Sequence, residues 1–129
     1  MKIMRILVFG LPGSGKTTFA RQLSAGHAYF NADEVRKMFN DWDFSMDGRT
    51  RQAQRMACLS SLVDGHAIID FVCPFDEDRH EYDVKVWMNT IKKGRFEDTN
   101  QMFEKPDSCT FEVKNFDYQN IIKEIRDKL

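Results

Sequence analysis

Gly10-Leu11-Pro12-Gly13-Ser14-Gly15-Lys16-Thr17, entered from the apolar run Ile3 to Phe9 and left through Thr18-Phe19-Ala20, fits the pattern GxxxxGK[ST] in full. The pattern has a mechanical reading. Its glycines let consecutive backbone N–H groups curl around phosphate oxygens, and a helix that starts at the lysine adds free donors and the positive end of its dipole. The context agrees, because a near-continuous apolar run reads as a strand covered on both faces, and Phe19, Ala20 and Leu23 recur at helical spacing behind the loop. The phosphate cradle is therefore expected to use Gly10, Pro12, Gly13, Ser14, Gly15, Lys16, Thr17 and Thr18, with Lys16 reaching the β and γ phosphates of ATP and the Thr17 hydroxyl set on Mg²⁺.

Outward from this loop, strands and helices alternate. A helix over Lys16 to about Leu23 closes at Gly26, and Tyr29-Phe30 form a short second strand. Asn31 and Asp33, both good capping residues, precede a helix through Val35, Met38 and Phe39, and Asp41 to Gly48 read as a loop. The pattern predicts a longer helix from about Arg49 to Asp64, with Ala53, Met56, Ala57, Ser60 and Val63 facing the core and Arg49, Arg51 and Arg55 leaving it. Ala67 to Val72, Val84 to Met88 and Thr110 to Val113 read as strands, Ile91 to Asp107 as charged and irregular, and the tail as an amphipathic helix carrying Tyr118, Ile121, Ile122, Ile125 and Leu129. The βαβα order implies an α/β, three-layer P-loop NTPase fold, with a mostly parallel five-stranded sheet, helices on both faces and a single domain over residues 1–129.

Composition removes several classes of function. In 129 residues, 42% hydrophobic, a disordered chain is not expected. Nineteen Lys and Arg balance 20 Asp and Glu, so no global field favours nucleic acid or an anionic membrane, and any anion site must be local. Three widely spaced cysteines, Cys58, Cys73 and Cys109, and three scattered histidines, His27, His66 and His80, show neither disulfide nor zinc spacing. The opening MKIMRILVF reads as a strand rather than a signal peptide, and no apolar stretch is long enough to cross a bilayer, so a cytoplasmic location is expected.

The remaining candidates each carry two readings. Asp70, ending Ala67-Ile68-Ile69, is placed to contact Mg²⁺, or else is a strand-end cap or ion-pair partner. Asp33, at the edge where open α/β sheets bind ligands, either orients an acceptor hydroxyl or caps its helix. Arg36, Arg49, Arg51 and Arg55 are guanidinium groups suited to phosphate or sulfate oxygens, or a solvated basic face. Phe44 and Phe96, in polar surroundings, either stack on a planar ring or anchor loops to the core.

Several elements in one order resemble the adenylylsulfate (APS) kinase family from Arg5 to about Val113. Gly10 to Thr18 is similar to the family's GxxGSGKTT, Asn31-Ala32-Asp33-Glu34-Val35-Arg36 to its DGDxxR, and Phe44-Ser45 with Arg49 and Gln52 to its FSxxDRxxN. Val72 to Arg79 resembles its ISPFxxDR, and Phe96 to Pro106 has the spacing of its FTGIDxxYExP. The resemblance implies that Phe44 and Phe96 sandwich the adenine of APS, that Arg36 and Arg49 hold its phosphosulfate with Gln52 beside them, and that Lys16 and Asp33 serve a transfer of the ATP γ-phosphoryl group to the 3′-hydroxyl of APS, giving PAPS and ADP. This chain departs from the family at Asn31, Gly48, Gln52 and the Glu97-Asp98-Thr99-Asn100 segment, and most of the arginine-containing lid is missing between Asn89 and Phe96. Those departures keep a kinase for another hydroxyl (a nucleoside, a modified base or a polynucleotide end) and a non-catalytic nucleotide-binding regulator in view, and a homodimer in which a partner completes the short lid is compatible with either. A nucleic-acid acceptor is disfavoured by the balanced charge.

Overall fold

Strands β1 (Arg5–Phe9), β2 (Ala28–Asn31), β3 (Ala67–Asp70), β4 (Val84–Met88) and β5 (Phe111–Val113) form one sheet in the order β2-β3-β1-β4-β5, with every neighbouring pair parallel, in a computed structural model that describes residues 2–129. Met1, the first residue of the segment read as a strand, lies outside the described residues. Because the side-chain period of a strand is two, Ile6 and Val8 face one layer of the core and Leu7 and Phe9 the other, all four fully buried. Helices α1 (Lys16–Leu23) and α5 (Gln119–Arg126) cover the first face, with Phe19, Leu23, Ile122 and Ile125 packed on Ile6, Val8 and Ile68. Helices α2 (Ala32–Phe39) and α3 (Met46–Ser61) lie on the second, where Val35, Ala53 and Met56 meet Leu7, Phe9 and Ile69. Apart from Ala53, each such side chain contributes about 1.5–3 kcal/mol relative to exposure. No helix among the described residues is long and apolar enough to cross a membrane.

The expected three-layer α/β fold is found, with local corrections. Helix α3 starts at Met46 inside the expected loop, because the Ser45 hydroxyl accepts the Gly48 N–H at 3.2 Å and so caps it. It ends at Ser61, before the expected Asp64. Gly48 is required there: a Cβ would collide with the backbone of Asp43. The cap of α2 is Asn31, whose Oδ1 accepts the Glu34 N–H at 3.0 Å, and Asp33 stands in the first turn instead. Arg49 does not leave the core; it is only 6% exposed. The segment read as irregular between 91 and 107 contains a short helix, α4 (Glu97–Met102).

The chain between β3 and β4 is held by one cation. Arg79, 1% exposed, lies against the rings of both Phe9 and Phe103, its guanidinium 4.4 and 4.9 Å from their centroids. Its nitrogens donate to the carbonyls of Cys73, Pro74 and Glu104 and to the Asp76 carboxylate. Replacement by methionine strips the Cys73 and Glu104 carbonyls of their donor and Asp76 of a charged partner, while the Pro74 carbonyl keeps only the Glu104 N–H at 2.8 Å. Arg79→Met is therefore expected to cost about 3 kcal/mol or more of unfolding free energy, read from urea denaturation; a loss below about 1 kcal/mol would contradict this account.

Candidate active site

The C-terminal ends of β1, β2 and β3 open into a cleft of about 690 Å³. On one side stand Pro12, Gly13, Gly15, Lys16, Thr17 and Thr18; facing them are Asn31, Asp33, Arg36, Trp42, Phe44 and Arg49; Asp70, Phe71, Val72 and Pro74 form the floor, with Arg95, Phe96 and Thr99 completing the rim. This is the crevice at the carboxyl edge of the strands where such sheets bind ligands.

The phosphate loop leaves its donors free. Gly13 and Gly15 hold φ of 91° and 90°, the left-handed region that glycine enters without penalty. The Ser14 N–H turns back to the Leu11 carbonyl at 3.1 Å, and the first backbone bond of α1 runs from Phe19 N–H to Gly15. The N–H groups of Gly13, Gly15, Lys16, Thr17 and Thr18 consequently have no acceptor among the described residues. That is an anion cradle at a helix N-terminus. Gly10 and Ser14, both expected in the cradle, do not line the cleft: Gly10 lies against the Met88 carbonyl with no room for a Cβ, and the Ser14 hydroxyl is buried without a partner.

Charge converges on Lys16. Its Nζ donates to the Leu11 carbonyl at 3.1 Å, folded over the loop. Burial pushes its pKa below the ordinary lysine value, the carboxylates of Asp70 and Asp33 oppose that shift, and the Arg95 cation reinforces it. Asp33 is exposed to the cleft and makes no hydrogen bond among the described residues, so its carboxylate is available to a ligand. Asp70 is 2% exposed, and its Oδ2 accepts from the Thr17 hydroxyl at 2.7 Å, the Tyr29 hydroxyl at 2.6 Å and Asn31 Nδ2 at 3.0 Å. Burial and this contact raise the Tyr29 pKa, keeping it a donor. The other oxygen, Oδ1, accepts nothing among the described residues. Thr17 and Asp70 thus offer two adjoining hard oxygen donors of the kind Mg²⁺ takes when water and phosphate oxygens supply the rest, and no group of three acidic, His or Cys ligands competes for a metal among the described residues.

The opposite wall is built around two arginines. Arg36, 5% exposed, lies 4.3 Å from the Phe44 ring centroid, and its Nη1 donates to the carbonyls of Asp41 and Asp43. No carboxylate stands within ion-pair distance of it among the described residues, and its pKa is lowered by burial and by Arg49 and Arg55, with Asp41 and Asp33 opposing. Arg49 spans the cleft's two rims: Nε donates to the Phe44 carbonyl at 2.8 Å, and Nη2 to Thr99 Oγ1 at 3.0 Å and Asp98 Oδ2 at 3.3 Å. Phe44 and Phe96 are 45% and 55% exposed, so neither is a core anchor. Gln52 is the exception among the expected acceptor residues. It is fully buried and absent from the cleft wall, its amide spent on the Ala32 carbonyl at 2.9 Å and on Arg55 Nη1 at 2.9 Å.

Sequence reasoning missed Tyr29, Asn31 as an Asp70 partner, Thr99 and Trp42. The signal for Trp42 was present, since a tryptophan between Asp41 and Asp43 is as out of place as Phe44.

With this arrangement in view, comparison with known proteins decides the family. The sequence profile described as adenylylsulphate kinase matches residues 2–100. The chain belongs to that family. No curated protein sequence matches it closely. Among solved structures, the Mycobacterium tuberculosis APS kinase CysC, in complex with AMPPNP and APS, superposes with a TM-score of 0.78 at 18% identity, covering 98% of this chain and 96% of that one. Chaetomium thermophilum Kti12 in complex with ADP-AlF3 gives 0.68 at 16% identity, covering 96% of each chain, and shikimate kinase from Acinetobacter baumannii with shikimate gives 0.65 at 16% identity, covering 96% and 91%. At these identities the likeness speaks for the fold. Membership of the adenylylsulphate kinase family makes the chain an ATP-dependent phosphotransferase of the P-loop class.

Proposed function

We infer that the chain transfers the γ-phosphoryl group of ATP to the 3′-hydroxyl of APS, yielding PAPS and ADP. The observation that carries this reading is the facing of two half-built sites across one cleft. A free amide cradle with Lys16 lies on one side, and on the other lies Arg36, a guanidinium with no carboxylate at ion-pair distance among the described residues, set against the exposed Phe44 ring. An acceptor with one flat ring and one anionic tail suits that second half.

The free N–H groups and Lys16 would hold and neutralise the triphosphate. Thr17 and Asp70 would hold Mg²⁺, which when bound supplies charge neutralisation between the phosphates. Asp33 would accept the hydrogen bond of the attacking hydroxyl and orient it, a positioning role that suits a loose transition state better than strong basicity would. Arg36 and Arg49 would fix the acceptor's anionic group, and Phe44 and Phe96 its base.

ADP release with Mg-ATP and a panel of acceptors tests the proposal. Release that depends on APS is the expected result; release only with another alcohol replaces the acceptor, and tight ATP binding without turnover removes the catalytic reading. A second acceptor class is favoured by one observation: Asp98 pairs with Arg49, reducing the charge offered to a phosphosulfate. Because Phe96 is more than half exposed, Phe96→Ala is expected to raise the acceptor KM about tenfold with the ATP KM and Tm little changed. A variant with unaltered acceptor KM and a lowered Tm would make Phe96 a packing residue.

A further inference from the structure

Trp42 projects into the cleft with 51% of its surface exposed, although the burial of so large a ring would be favourable. The chain on either side of it prevents retreat. The Asp41 carboxylate accepts Arg51 Nε at 2.8 Å, Arg51 Nη2 at 3.0 Å and Arg55 Nη2 at 2.9 Å, and these charge-assisted bonds hold its carboxyl well below the usual carboxylate range. The Asp43 carboxylate takes a further bond from Arg51 at 3.2 Å. Arg36 Nη1 then binds both flanking carbonyls, Asp41 at 2.9 Å and Asp43 at 3.2 Å, while its guanidinium supports the Phe44 ring. The backbone that carries the indole and the phenyl ring are therefore both held by the same cation before any ligand arrives, and preorganised aromatic surface lowers the entropy cost of binding.

The geometry points to Trp42 as a specificity-determining residue of the acceptor half of the cleft, a third aromatic wall that selects acceptors carrying a planar heteroaromatic ring over ring-free polyols. This rests on the proposed reading of that half as the acceptor site. Base–aromatic stacking tolerates any base because every base has a π-face, so the wall selects for the ring and leaves its identity to other contacts.

Two measurements separate this assignment from the identity of the acceptor. In steady-state kinetics with APS at saturating Mg-ATP, Trp42→Leu is expected to raise the acceptor KM about tenfold, with the ATP KM within about twofold and Trp42→Phe recovering most of the loss. An unchanged acceptor KM in Trp42→Leu overturns the assignment. In binding, the Trp87→Phe protein keeps Trp42 as its sole tryptophan of the 2 in the chain. With a non-hydrolysable ATP analogue filling the nucleotide site, titration with AMP is expected to change the emission saturably, and shikimate to leave it flat. A saturable AMP signal without APS phosphorylation keeps the Trp42 assignment and removes APS as the acceptor. APS phosphorylation with no change in emission on adding AMP or APS does the reverse.

Discussion

Lys16→Ala is expected to lower kcat/KM by about a thousandfold or more, the size of loss seen when a main charge-stabilising group of phosphoryl transfer is removed. The position explains why the loss is so large. Lys16 is the cation enclosed between the amide cradle and the carboxylates of Asp33 and Asp70, and its ammonium is folded over the loop by the Leu11 carbonyl. Without it, Asp33 and Asp70 face the incoming triphosphate with less positive charge between them. The fold should survive, since the loop turns on Gly13 and Gly15 and on the Ser14 to Leu11 bond, none of which uses the lysine side chain. Circular dichroism and Tm check that half of the result, and single-turnover kinetics the other. A variant that keeps more than about a tenth of the rate would remove Lys16 from the chemistry.

Asp33→Asn should produce the second largest effect, a fall in kcat of roughly a hundredfold or more. The cap of α2 is Asn31, so the variant loses only a first-turn charge, and Tm should drop by no more than about 4 °C. If instead Tm collapses while kcat per folded molecule holds, Asp33 is structural.

What the sequence made legible was local. The run from β1 through the glycine loop into α1 is specified by neighbours within a few positions; α1 agrees with the helix expected over Lys16 to about Leu23, and β4 spans the expected Val84 to Met88. What it hid depended on distant partners. Arg49 reads as solvent-facing on helical spacing alone, because the groups that make its burial tolerable are the Phe44 carbonyl and two residues about 50 positions away, Asp98 and Thr99. Helix α4 was invisible for the same reason: five polar residues and Met102, with no side-chain cap, are stabilised by that arginine rather than by propensity. Gln52 matched a family position by spacing, yet Arg55 and the Ala32 carbonyl claim both ends of its amide. Choosing between Asn31 and Asp33 as a cap required the backbone itself, since both residue types serve.

Arg49 grips the Phe44 rim through Nε and the α4 rim through Nη2, so the two edges of the pocket are one mechanical unit rather than a pair of independent jaws. Substitutions on opposite edges should then combine non-additively despite their separation in sequence. For a lineage drifting toward a new acceptor, this favours paired replacements over solitary ones, with the guanidinium as the hinge of their epistasis.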